Sequence, residues 1–397
     1  MIKDMLSTGA CYALVTLALV FAYHKKESVT VTDVPTISVS AKLDAFTKRA
    51  DITFILGEDK KPDNRYYTKA TQFYSLNPQS RTEYLVTHCR SLQEVQHYLQ
   101  ENQPTDGKPW GLINLVSHGN QWMGLSARIK PEGKRATTKS ILEAVQSGEL
   151  APLPSCKIDA STTIFLHGCG LGNNEAIIGA IANAFGQEGH QPTVRASRLF
   201  EYYSSITSGK AVVAPQRYLA KPYILSYKMG YQPNEPQLIS QLEKQYPQAT
   251  VNWGEAVNRT SPRWPGDSYH ITFEVPLKWV IPVDSMPDIS TKSKQNSWIA
   301  TRQEITDQLQ KLELSSDKFN WWFRKVYVKN EEGQKQPAVW LKGYCTVLTV
   351  LEAMTTDDIA NPHSPYHPSL EDQRFYASNR LTEGLQLVNG WTGCEEI

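Results

Sequence analysis

A surplus of charge of either sign is missing from this sequence. Its 41 Lys and Arg stand against 40 Asp and Glu in 397 residues, a formal net charge of +1. No broad field therefore draws the chain toward nucleic acid or an acidic surface, and nucleic acid is not expected as a partner. Cysteine is sparse. Cys11, Cys89, Cys156, Cys169, Cys345 and Cys394 are too few for a disulfide framework in a chain long enough to bury a core without one. No Cys-x-x-Cys pair occurs. His363 and His367 have a metal-like spacing but lie among Pro362, Pro365 and Pro368, which break the helix that sets two histidines one turn apart. Neither a metal nor a cofactor is expected. The Gly-x-Ser-x-Gly elbow of esterases and the Walker lysine motif are also missing. Gly168, Gly170 and Gly172 follow an apolar run, yet Asn173 stands where a dinucleotide fingerprint needs its third glycine. With 40% apolar and 20% charged residues, and Gly and Pro at 23 each, collagen, long coiled coil and wholesale disorder are excluded.

What is present begins with 19 uncharged residues, Met5 to Tyr23, between Asp4 and His24. At about 1.5 Å per residue a helix of that length reaches across a hydrocarbon core of about 30 Å. Val20-Phe21-Ala22 is a poor signal-cleavage site, and His24, Lys25 and Lys26 follow at once. Residues 1–26 are therefore expected to be a membrane anchor, with a cleaved export signal as the alternative. Lys25 and Lys26 would keep the body cytoplasmic by the positive-inside bias, whereas a signal would export it, so the side of the membrane stays open. Residues 27–44, rich in Ser, Thr and Val, read as a tether.

From there short apolar runs alternate with helical patterns. Residues 51–56, 83–89, 112–116, 162–166 and 192–196 read as buried strands. A Ser91-x-x-Glu94 capping box opens one helix, and helices are also expected over 138–145 and 173–185. Such alternation implies an α/β domain over 45–230 with a mostly parallel sheet flanked by helices, whose reactive groups collect at the carboxyl ends of the strands. Residues 231–397 form a Trp- and Tyr-rich region of mixed α+β character. In it, runs at 269–275, 278–281, 321–328 and 339–341 suggest antiparallel strands, with a helix near 301–312.

The third and fourth strands end in Ser117-His118-Gly119 and His167-Gly168-Cys169-Gly170. Adjacent parallel strands would bring an imidazole and a thiol to one edge of the sheet. A thiol needs help to ionise at neutral pH, which a helix amino terminus or an imidazolium supplies. The glycines clear the backbone where a substrate carbonyl must approach, and backbone amides there can hold an oxyanion.

An apolar strand ending in His-Gly, followed some fifty residues later by one ending in Cys, resembles the clan of caspases, gingipains, legumain, clostripain and separase. The resemblance covers roughly residues 50–215. It implies a caspase-haemoglobinase fold and a cysteine endopeptidase acting through a thioester intermediate on a polypeptide substrate. It further implies His118 and Cys169 as the catalytic dyad, and the amides of Gly119 and Cys169 as the oxyanion hole. In place of the Gln-Ala-Cys-x-Gly run of caspases proper stands His167-Gly168-Cys169-Gly170-Leu171. A bacterial-type relative is the nearer match, without an expectation of aspartate specificity.

Other residues compete for roles. His167, two positions before Cys169, is an alternative base. Asn174 and Glu175 are expected to cap the following helix rather than to catalyse. Glu201, just beyond the fifth strand, is a candidate lining for a pocket that takes a basic side chain, against the plainer reading of a solvated loop acid. Trp321 and Trp322 are binding-face or core residues. The rival function is a catalytically inactive, membrane-tethered binding module on the same fold.

Overall fold

The computed structural model describes residues 49–60, 64–76, 82–208, 211–262, 267–330 and 333–353. The expected anchor (1–26), the tether (27–44) and the His363/His367 pair lie outside the described residues. Among the described residues no helix is long and apolar enough to cross a membrane, and no cluster of side chains could hold a metal ion.

Four of the five expected strands lie within a residue of their predicted bounds. In chain order β1 (Ile52–Ile55), β2 (Tyr84–Val86) and β3 (Leu112–Val116) are followed by a small hairpin, β4 (Gly119–Asn120) and β5 (Gly124–Leu125), then by β6 (Thr163–His167) and β7 (Thr193–Ala196). The expected run at 83–89 is the shortened one, β2. The main sheet has the order β2-β1-β3-β6-β7 and is parallel throughout. This is an α/β sheet flanked by helices, as the alternation implied.

Period-two alternation divides the sheet's side chains between two faces. Ile52, Phe54, Ile113, Leu115, Ile164, Leu166, Val194 and Ala196 point into one large apolar core. Thr53, Ile55, Asn114, Val116, Phe165 and His167 share the opposite parity. Ile55 and Val116 on that second face pack against Tyr66, Tyr67, Phe73 and Tyr74 of helix α1 (Tyr66–Leu76) and against Tyr203. Helices α2 (Leu92–Glu101), α3 (Thr138–Gln146) and α4 (Glu175–Phe185) contribute Leu92, Val95, Leu99, Ile141, Ala144, Ile177, Ile178 and Ile181 to the first core.

Helix α1 was not expected from the sequence. Its amino-terminal donors are met from outside, with the Tyr67 and Thr68 amides donating to the Asp59 carboxylate at 3.0 and 2.8 Å. No local capping box therefore announces it. The signal was nonetheless there, since Tyr66, Tyr67, Ala70, Phe73 and Tyr74 fall on one helical stripe.

A second, antiparallel sheet follows. β8 (Phe200–Ser208) pairs with β9 (Ala211–Lys228), β9 with the carboxyl half of β12 (Lys335–Ala353), and β12 with β10 (Tyr269–Pro282) along its other edge. β11 (Asn320–Lys329) continues the β9 edge along β12, and the Asn320 side-chain Nδ2 donates to the Met229 carbonyl at 2.9 Å where the two meet. The sheet thus takes strands from both sides of residue 230, the boundary placed there by sequence. Helices α5 (Glu235–Gln245) and α6 (Trp253–Asn258) cover Leu348 and Val350 on its outer face. Helices α7 (Lys292–Ala300) and α8 (Gln303–Lys311) share the inner core with Leu277, Trp279 and Leu341. Trp321 faces that inner core, against Trp279 at 5.8 Å, whereas Trp322 is 46% exposed.

Candidate active site at the ends of two adjacent strands

Val116 of β3 pairs with His167 of β6, and the Ser117 amide donates to the His167 carbonyl at 3.0 Å, carrying the ladder one step past the strands. His118 and Cys169 each stand two residues beyond that last pair. The register therefore brings the two to the same end of neighbouring strands, and Cys169 lies in the turn that follows β6, packed against the core of the antiparallel sheet.

Helix α1 builds the surroundings of His118. Its imidazole stacks on Tyr66 (centroids 4.4 Å apart, planes 28° apart) and meets the edge of Tyr67 at 4.9 Å. The His118 amide donates to the Tyr67 hydroxyl at 3.0 Å, and its Nε2 lies 3.4 Å from the Asn64 amide group. Burial in this aromatic clamp pushes the imidazole below its ordinary pKa, with the Asp59 carboxylate pulling weakly the other way. At neutral pH the ring is an uncharged base.

Cys169 is part-buried. Its thiol donates to the Glu201 carbonyl at 3.5 Å, and burial pushes its pKa up to about 12, with the Glu201 carboxylate adding to the shift. The helix expected just behind it begins only at Glu175, after a 3-10 turn at Leu171–Asn173. The helix field fades within its first turn, and the Asn174 side chain already accepts from the Ile177 amide. Helix assistance to the thiol, expected from the sequence, is therefore removed, while the capping role foreseen for Asn174 is the one it performs. Gly170 sits at φ +65° with its amide donating to the Leu199 carbonyl, and a side-chain carbon at Gly172 would lie 2.4 Å from the Ala196 carbonyl. Those two glycines let the loop after β6 press onto the β7–β8 connection.

Gly119, the other expected oxyanion donor, opens the β4–β5 hairpin opposite Leu125. That hairpin is tied to the far part of the chain, since the Trp122 indole donates to the Leu312 carbonyl at 3.0 Å.

Two expectations are corrected. Glu201 does not line an open pocket from a loop: it lies in β8, is buried, and its Oε2 sits 3.0 Å from His167 Nδ1. Burial alone would raise its pKa, but His167 and Arg217 outweigh burial and keep it a carboxylate. His167 is not available as a base. Its Nδ1 faces Glu201 and, at 3.2 Å, Arg217; its Nε2 faces Asn114 Oδ1 at 2.9 Å and the Tyr74 hydroxyl at 3.1 Å. Asn114 in turn donates to Thr53 Oγ1 at 3.0 Å. Sequence reading missed this buried polar chain, although Thr53 and Asn114 interrupting apolar strands were its visible trace.

Compared with protein-family models, curated proteins and solved structures, this chain matches none.

Proposed function

We propose that the chain is a caspase-like cysteine endopeptidase using His118 and Cys169. The observation that carries this reading is the register of β3 and β6, which sets an uncharged imidazole and a thiol at the ends of neighbouring strands. In the proposed reaction Cys169 Sγ attacks the scissile carbonyl carbon as its proton passes to the neutral His118 ring. The C–N bond then breaks, His118 returns the proton to the leaving amine, and a thioester remains for water to hydrolyse. Neutral thiol and neutral imidazole fit general-base activation better than a standing ion pair, because burial opposes charge on both. The amides of Gly119 and Cys169 are the proposed oxyanion donors, each worth about 2.7–4 kcal/mol in comparable sites. Polypeptide is the proposed substrate, and residues 1–26 are proposed to attach the enzyme to a membrane.

The high thiol pKa, about 12, together with the Sγ–Glu201 hydrogen bond, favours a second reading: an inactive, membrane-tethered binding module on the same framework. Labelling with peptidyl electrophiles, paired with cleavage of a peptide library, separates the two. The enzyme reading expects cleavage that is lost in Cys169→Ala and mostly lost in His118→Ala. Library peptides left intact by the wild-type chain, with no electrophile on Cys169, would overturn the enzyme reading and leave the binding module standing.

A further inference from the structure

A fully buried histidine and glutamate two residues before, and directly behind, a candidate nucleophile call for an account. Removing two ionisable groups from water costs several kcal/mol each, and their mutual attraction seldom returns more than a well-packed apolar pair would. Stability is thus a weak reason for His167 and Glu201 to be there. Their placement suggests a different one. His167 is the last residue of β6 and Glu201 the second of β8, so the 3.0 Å Nδ1–Oε2 bond fastens the parallel sheet to the antiparallel one. Glu201 meets Cys169 through its main chain as well, since its carbonyl accepts the thiol hydrogen at 3.5 Å. The crosslink is itself braced: Asn114 and Tyr74 hold the far nitrogen of His167, and Thr53, hydrogen-bonded to Thr82 at 2.6 Å, holds Asn114.

We propose that Glu201, held in place by His167, is a positioning residue for Cys169: its carbonyl accepts the thiol hydrogen, and its carboxylate, behind the thiol, holds ionisation back. This inference deepens the peptidase reading and rests on it for its catalytic meaning, but the arrangement can be tested on the thiol alone. Other groups that bear on the thiol are the Tyr66 phenol of α1 and the Tyr269 phenol of β10. Arg217 of β9 lies 3.2 Å from His167 Nδ1 and over the Phe165 ring, and His118 stands at the end of the neighbouring strand.

The test is the pH dependence of iodoacetamide modification at Cys169 in the full chain, read on the Cys169 peptide by mass spectrometry. Glu201→Gln keeps an oxygen for His167 Nδ1–H but removes the negative charge behind the thiol. Modification at a fixed alkaline pH should rise about three- to tenfold, the change produced by a like-charge shift of roughly half to one pH unit. His167 carries no charge at that pH, since burial lowers its pKa below the ordinary 6.5, so His167→Gln removes a hydrogen-bond partner of the carboxylate but no positive charge, and modification at the same pH should stay near wild type. A rise confined to Glu201→Gln is the signature, because simple loosening of the packing would expose the thiol and speed both. Equal curves for wild type and Glu201→Gln, or acceleration in both variants, overturn the proposal. If Glu201→Gln does not fold, the His167→Gln curve decides alone: near wild type supports the assignment, and faster overturns it. A wild-type chain that cleaves no peptide while the Glu201→Gln shift still appears would sink the peptidase reading and leave this one standing.

Discussion

The Tyr66 ring stacks on the His118 imidazole at 4.4 Å while its hydroxyl donates to the His167 carbonyl at 3.3 Å. One side chain of α1 thus touches the ends of both strands that carry the candidate dyad. The two contacts are separable. Tyr66→Phe keeps the ring and loses only a hydrogen bond, so stability should drop by about 0.5–1.5 kcal/mol and peptide cleavage should persist. Tyr66→Ala removes a buried aromatic and should cost about 3–5 kcal/mol, and it frees His118, so cleavage should fall far below that of Tyr66→Phe. Urea denaturation and kcat/KM on one peptide check both, and equal kcat/KM in the two variants would show that the stacking does not orient the base.

Cysteine labelling ranks the thiols. Cys156 is exposed, whereas Cys89 and Cys345 are buried, with pKa values pushed by burial to about 11 and about 12. Among the four described cysteines Cys156 should therefore react first with iodoacetamide at pH 8 in the folded chain, Cys169 far more slowly, and Cys89 and Cys345 only on unfolding. Peptide mapping after timed quenching reads this order. Faster labelling of Cys169 than of Cys156 would mean that the thiol is activated in the free protein, contrary to its hydrogen bond with the Glu201 carbonyl.

The sequence made the sheet legible because its strands are short apolar runs bounded by glycine and polar residues, and Leu112–Val116 was placed to the residue. His118 and Cys169 were legible for the same reason, as polar residues just past two of those runs. The aromatic clamp was not, because α1 draws its cap from Asp59 across a loop rather than from its own first turn. Glu201 was misread because β8 was not read as a strand: its partner β9 is the next strand in the chain, but the sheet they belong to is completed only where β9 pairs with β12, more than a hundred residues away. The same long-range pairing explains why a composition shift near residue 231 does not coincide with an edge of the antiparallel sheet.

The Trp122–Leu312 hydrogen bond joins the hairpin that carries Gly119 to the turn after α8. Trp122→Phe fills most of the same space and leaves a buried carbonyl with only a long, 3.5 Å contact to the Gln121 side chain. The cost should be about 1–3 kcal/mol in urea denaturation. If the hairpin sets the Gly119 amide for an oxyanion, kcat should fall while KM changes little, since such a donor acts mainly in the transition state. A rise in KM at constant kcat would instead assign the hairpin to substrate binding.

The acid limb of activity tests His118 directly, and its sign can be worked out. Burial lowers the folded pKa below the ordinary 6.5, so the folded chain binds this proton less readily than the unfolded chain does. The associated stability is present above 6.5 and is lost as the pH falls through the folded value. His118→Gln should flatten that part of the stability–pH curve. Cleavage needs the uncharged ring, so kcat/KM should hold down to a pH below 6.5 and then fall tenfold per unit. Asp59 opposes the shift by stabilising the protonated ring. Asp59→Asn keeps an oxygen for the Tyr67 amide at the head of α1 but removes that opposing charge, so the acid limb should move further toward acid. Movement toward alkali, or a limb that also survives in His118→Gln, would show that a group other than His118 governs the acid limb.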